Sequence, residues 1–228
     1  MPNFNIIRES RASKTFRVAS VMGKFDIQTN HVKEEFVGDL ELPESWQVGL
    51  ITGASGSGKT TIAKDLFPDA YVTEFEYSRE SILDDMPEAK TVEEITSAFN
   101  SVGFSSPPSW LKPYHVLSDG QKMRVNLATS LLKDEDLVVF DEFTSVVDRQ
   151  VARIGSFAIQ KAIRRTSKQF IAVTCHSDVS DWLLPDWIFD ANDMSFENCV
   201  KKKDRQSNLK SSKLKTNRYG ELSRSIII

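Results

Sequence analysis

The segment Gly53-Ala54-Ser55-Gly56-Ser57-Gly58-Lys59-Thr60-Thr61 constrains this chain more than any other stretch of its 228 residues. It closes the apolar run QVGLITG (47–53) and opens TTIAKDLF (60–67), whose apolar spacing is helical. A buried strand, a glycine turn and a helix in that order aim backbone N–H groups inward around an anion. Glycine at 53, 56 and 58 lets the backbone turn tightly and approach phosphate oxygens. Lys59 is placed to reach the terminal phosphates of a nucleotide, and the Thr60 hydroxyl to bind Mg2+.

A metal at such a loop calls for a carboxylate at the end of a neighbouring buried strand. Leu137-Val-Val-Phe140-Asp141-Glu142 supplies it. Asp141 is expected to hold Mg2+ through its water shell, and Glu142 to orient and polarise an attacking water. A second anion site is legible in HVLSDGQKMRVNLA (115–128), a polar turn opening an amphipathic helix.

Strands and helices alternate along the rest of the chain. A strand or hairpin start is expected at 16–27, strands at 47–53, 70–77, 136–143 and 186–193, and a strand followed by a polar turn over 169–178. Helices are expected after the glycine loop, in pieces over 78–104, from Gln121, and over VDRQVARIGSFAIQKAIRR (147–165). SSPPSW (105–110) reads as a rigid loop anchored by Trp110. This alternation predicts an α/β fold with a mainly parallel sheet flanked by helices.

Taken together, these motifs resemble the ABC-type ATPase family of P-loop NTPases. Gly53 to Thr61 resembles the Walker A motif, and Val138 to Glu142 Walker B. Leu117-Ser-Asp-Gly-Gln121 is similar to the signature motif, with Asp119 in place of the usual second glycine. Ser145-Val-Val-Asp148 sits where the D-loop belongs, and His176 resembles the switch histidine. The resemblance covers residues 15 to 195. It implies ATP hydrolysis in a head-to-tail homodimer with ATP and Mg2+ as cofactors. Glu142, His176 and Lys59 would be catalytic. Ser118, Gly120 and Asp148 would act on the nucleotide across the two-fold interface. Phe25, or Phe16, occupies the place of the adenine-stacking aromatic. No glutamine lies between Lys59 and Gln121, so Glu76 stands nearest the family's metal-binding glutamine. An N-terminal antiparallel β portion and a reduced helical subdomain complete the implied architecture.

SVGFSSPPSW (101–110), DEFTSVVDR (141–149) and CHSDVSDWLLPDW (175–187) resemble a small group of soluble ABC-type ATPases of prokaryotes and their phages. Longer members carry a fused acetyltransferase-like domain. The residues after the core are too few for that domain, so no such activity is expected. A nucleotide-binding subunit of an ABC transporter and a nucleic-acid-associated ATPase are the alternative readings.

Composition bears on location and partners. Two cysteines, no long apolar segment and no signal-like N-terminus suggest a cytoplasmic protein. The net charge of −3 is uneven: residues 201–228 hold nine Lys/Arg and two Asp/Glu, leaving 20 basic and 30 acidic residues before them. The expected organisation is an extension (1–14), an ATPase domain (15–198) and a basic tail (199–228). That tail reads as a solvated, disordered end or linker stub, or else as a contact to nucleic acid, and an unidentified protein partner is a further expectation.

Overall fold

The computed structural model describes residues 3–28, 31–72 and 75–200. Residues 201–228 of the basic tail lie outside the described residues. Eight strands and seven helices follow in order: β1 (Asn3–Arg11), α1 (Phe16–Lys24), β2 (His31–Asp39), β3 (Val48–Thr52), α2 (Lys59–Leu66), β4 (Tyr71–Val72), α3 (Val92–Ser101), α4 (Pro107–Trp110), α5 (Asp119–Leu132), β5 (Leu137–Phe140), α6 (Arg149–Ile163), β6 (Gln169–Thr174), α7 (Val179–Leu183), β7 (Trp187–Asp190) and β8 (Ser195–Asn198).

The main sheet runs β4-β5-β6-β3-β7-β8, parallel except for β8, and β1 and β2 form a separate antiparallel pair. Central strands covered on both faces must be apolar at every position, and β3 is buried throughout. Alternate residues then serve two cores. Leu50, Phe140, Phe170 and Ala172 join Phe99, Leu127 and Ile159 on one side. Ile51, Val139, Ile171 and Val173 join Ile62, Ala63 and Trp187 on the other. Phe4 of β1 belongs to the second core, its ring edge-on to Phe189 at 5.8 Å. A strand thus occupies part of the segment read as an extension.

Several local expectations are corrected. Residues 16–24 are helical, not extended. The Thr15 side chain accepts a hydrogen bond from Val18 N, capping the helix. Val18, Val21, Met22 and Phe25 fall at i, i+3, i+4 and i+7, a helical stripe that outweighs their strand-like composition. Prolines at the first two helical positions let Pro107–Trp110 form a turn of helix instead of a loop, since proline's fixed φ suits a helix start. The expected strand at 70–77 is extended only over Tyr71–Val72, with Thr73 and Glu74 outside the described residues. Helix in 78–104 is confined to α3, capped by a reciprocal Thr91–Glu94 box.

The entry to β3 is fixed by Asp186, whose carboxylate accepts from the backbone N–H of Gln47 (2.9 Å) and Val48 (3.1 Å) and from Arg164 (3.0 Å). Burial works to raise the pKa of Asp186, but the Arg164 guanidinium and the two N–H donors outweigh it and hold the carboxyl below its ordinary value. A folded-state pKa below the unfolded one contributes stability above about pH 4, lost as pH falls through the lowered value. Asp186→Asn is therefore expected to lower unfolding free energy at pH 7 by on the order of 2 kcal/mol. The difference from wild type should narrow at acid pH, as followed by urea denaturation at each pH.

Candidate nucleotide-binding site

The glycine loop joins the C-terminal end of β3 to α2. Its positive backbone angles at Gly53 (φ 146°), Gly56 (φ 83°) and Gly58 (φ 91°) belong to the region that favours glycine. At Gly58 there is a second constraint: an added Cβ would lie 2.3 Å from the Phe36 ring. The loop is tied to the far end of β7 by Ala54 N donating to Asn192 Oδ1 (2.8 Å). Lys59 Nζ folds back onto Ala54 O at 2.6 Å. Ser57 Oγ is buried without a hydrogen-bond partner. It faces Gly53, 2.6 Å from the place of a Cβ there.

Asp141 ends β5 beside this loop and is buried. The Thr60 hydroxyl donates to its Oδ2 at 2.8 Å, and the Tyr71 hydroxyl donates to the same oxygen. Oδ1 accepts the backbone N–H of Glu142 at 2.8 Å. Burial first, then the adjoining Asp141 carboxylate, push the Tyr71 pKa well above its ordinary value, so this phenol stays protonated and donates. Glu142 (φ 51°) and Thr144 (φ 71°) both adopt the left-handed region, rare for such residues. Strain of this kind concentrates at functional sites. Glu142 is exposed at the cavity wall, its Oε2 accepting from Ser145 Oγ at 2.5 Å.

Together Ser55, Gly56, Gly58, Lys59, Thr60, Thr61 and Glu142 line a cavity of about 390 Å³. The structure adds Arg8, Glu34, Phe36 and Cys175 to this lining, residues the motifs do not reveal. Arg8 pairs with Glu34 across β1 and β2, and Glu34 and Phe36 share one face of β2. The i, i+2 spacing in HVKEEFVGD is the signal from which that face can be read.

Other expected site residues stand apart. Phe25 follows α1 and is 66% exposed, and Phe16 is 88% exposed; neither lines the cavity, whose aromatic is Phe36. A helix where a strand was expected carries both phenylalanines away. Glu76 is exposed and also outside the lining, while Tyr71, five residues earlier, makes the contact with Asp141. β4 ends before Glu76, so the strand does not deliver it to the carboxylate. His176 sits at the end of β6, half-buried, with Nδ1 3.3 Å from Thr144 Oγ1.

The signature turn is built as the N-terminus of α5. Ser118 caps it, accepting from Gln121 N, while the Gln121 side chain accepts from Ser118 N. Gln121 Nε2 also donates to Ser109 Oγ of α4 (3.2 Å), and Trp110 Nε1 to Phe104 O (2.7 Å). Asp119 occupies the first helical position, where the helix dipole favours an acid, and lies 4.0 Å from Lys122. Gly120 faces α6, with Val151 3.2 Å from the place of a Cβ. Asp148 caps α6 through Gln150 N and Val151 N. The next residue, Arg149, lies over the Trp182 ring and binds Asp178, two residues beyond His176. Ser118, Gly120 and Asp148 are all outside the lining of the Lys59 cavity.

A glycine loop after β3 thus stands beside a buried carboxylate that follows β5. The chain has the α/β fold of ABC-type ATPase cassettes. A dimeric structure of MJ0796, described as a bacterial ABC transporter cassette, is 18% identical with a TM-score of 0.55, over 85% of this chain and 98% of that one. CbiO1 of Clostridium perfringens, part of the ABC transporter complex cbiONQ, is 16% identical with a TM-score of 0.56, over 96% and 98%. In sequence, 68 residues are 38% identical to the energy-coupling factor transporter ATP-binding protein EcfA of Aster yellows witches'-broom phytoplasma (strain AYWB). That match spans 30% of this chain and 23% of the relative's length. No family model matches the chain.

Proposed function

We propose that this chain binds Mg-ATP and hydrolyses it as a head-to-tail homodimer, using the cycle to change the conformation of a partner. The observation that carries this reading is the Thr60–Asp141 contact of 2.8 Å, with Thr60, Lys59 and Glu142 lining one cavity. Thr60 and Asp141 form an oxygen donor set of the kind that suits a hard divalent cation. Mg2+ held there would neutralise charge on the phosphates. Lys59 leaves its carbonyl partner and binds the phosphate oxygens, and the α2 N-terminus stabilises the anion. Glu142 holds a water for attack on the terminal phosphorus and takes up its proton. The γ-phosphate meets Ser118 of the partner subunit and the N–H of that subunit's Gly120, while His176 turns from Thr144 to donate to it.

Lys59→Ala tests this assignment. Wild type is expected to bind a fluorescent ATP analogue, and the variant to bind it at least about tenfold more weakly, since charged hydrogen bonds to phosphate are worth roughly 1.5–3 kcal/mol. Equal binding by both proteins would remove the loop as the nucleotide site.

A second reading, the nucleotide-binding subunit of a transporter, is favoured by the similarity to EcfA and cbiO1, whose names place them in transporters. Among the described residues no helix is long and apolar enough to cross a membrane. Copurification with an integral membrane protein from detergent extracts distinguishes the transporter reading from a cytoplasmic, soluble cassette.

A further inference from the structure

We propose that Tyr71 is a positioning residue for the metal-binding carboxylate Asp141. The inference rests on the nucleotide-site reading above and adds to it a residue from a different strand. Asp141 is held at three points, by Thr60, by Tyr71 and by its neighbour's N–H. Two of these anchors come from the nucleotide motifs themselves. The third comes from β4, at the edge of the sheet, where Tyr71 pairs with Val139 and Val72 O accepts the N–H of Asp141. The phenol therefore ties the carboxylate to a strand other than the one that enters the glycine loop.

The need for such an anchor follows from the geometry. Thr60 is expected to turn its oxygen lone pairs to the metal while its proton stays on Oδ2. When nucleotide and metal enter, the loop, Lys59 and Thr60 all adjust. Glu142 N fixes Oδ1 only through a residue whose backbone is itself in the left-handed region. Tyr71 is the donor on Asp141 that comes from outside the nucleotide motifs. Its ring is itself steadied, with Lys64 Nζ 5.0 Å above it. Glu76, which stands nearest the family's metal-binding glutamine in sequence, is outside the cavity lining. Tyr71 thus supplies from the same side of the sheet an indirect hold on the metal, through Asp141.

The experiment compares wild type with Tyr71→Phe, which keeps the ring and removes one hydroxyl. Mn2+ serves as the probe, its binding to the ATP-loaded full chain followed by electron paramagnetic resonance. Metal-free ATP affinity and thermal melting are measured in parallel. Orienting partners of metal ligands are worth 10–100-fold in metal affinity, so Mn2+ is expected to bind about tenfold more weakly to the variant. Metal-free ATP affinity should be unchanged. In an Asp141→Asn background the same substitution should add little, because the pathway from the phenol to the metal is already broken. Undiminished Mn2+ affinity in Tyr71→Phe overturns the proposal. So does an equal loss of metal-free ATP binding or of fold, either of which makes Tyr71 a structural residue only. Failure of wild type to bind ATP at all would instead remove the underlying nucleotide reading.

Discussion

Glu142→Gln is expected to keep ATP binding while lowering hydrolysis by about 10²–10⁴-fold, the range associated with loss of a general base. The amide is nearly isosteric and still accepts from Ser145, so the local structure is retained. It cannot take a proton from water. Lys59, Thr60 and Asp141 are untouched, so the substrate complex accumulates. If the γ-phosphate is shared between two chains, this trapped complex is a dimer. Light scattering should then give a doubled mass with Mg-ATP and a monomer mass with ADP, which lacks the shared group. A monomer under saturating Mg-ATP would sink the shared-site reading, whatever the hydrolysis rate.

How much of this was legible beforehand depended on whether the determining contacts were local. The glycine loop between an apolar strand and a helix, and the acids closing Leu137–Phe140, are readable because motif, period and role coincide within ten residues. The parallel core follows from the same runs. α1 reads as extended because its two valines and flanking phenylalanines are strand-like residues, although its Thr15 cap and i, i+3, i+4, i+7 stripe favour a helix. Phe36, Arg8 and Tyr71 were not found for a different reason. Their places near the loop depend on pairing over long sequence separations, β1 with β2 and β4 with β5. Nothing in Tyr71's neighbourhood in sequence points to Asp141, 70 residues away.

On the proposed reading, the signature turn acts outside its own chain. Ser118 caps α5 on an exposed surface and is absent from the Lys59 cavity. Two inactive chains should therefore complement each other. Lys59→Ala empties the glycine loop, and Ser118→Arg fills the signature surface with a long side chain. Each homodimer should be inactive, for different reasons. In a mixed dimer both defects fall in one composite site. The other site pairs an intact loop with an intact signature. Random mixing at equal concentration makes about half the dimers mixed, each with one sound site of two, so about a quarter of wild-type ATPase is the ceiling set by two-fold symmetry. Replacing the cap costs α5 about 1 kcal/mol, a loss that melting curves would show and that leaves nucleotide binding by that chain intact. Coupling between the two sites lowers the recovery, so the mixed dimer must also be shown to form and to bind one ATP. A mixed dimer that binds one ATP and never turns over argues against independent composite sites. Substantial turnover by purified Ser118→Arg alone argues against composite sites altogether, since a site complete within one chain has no use for a second phosphate grip.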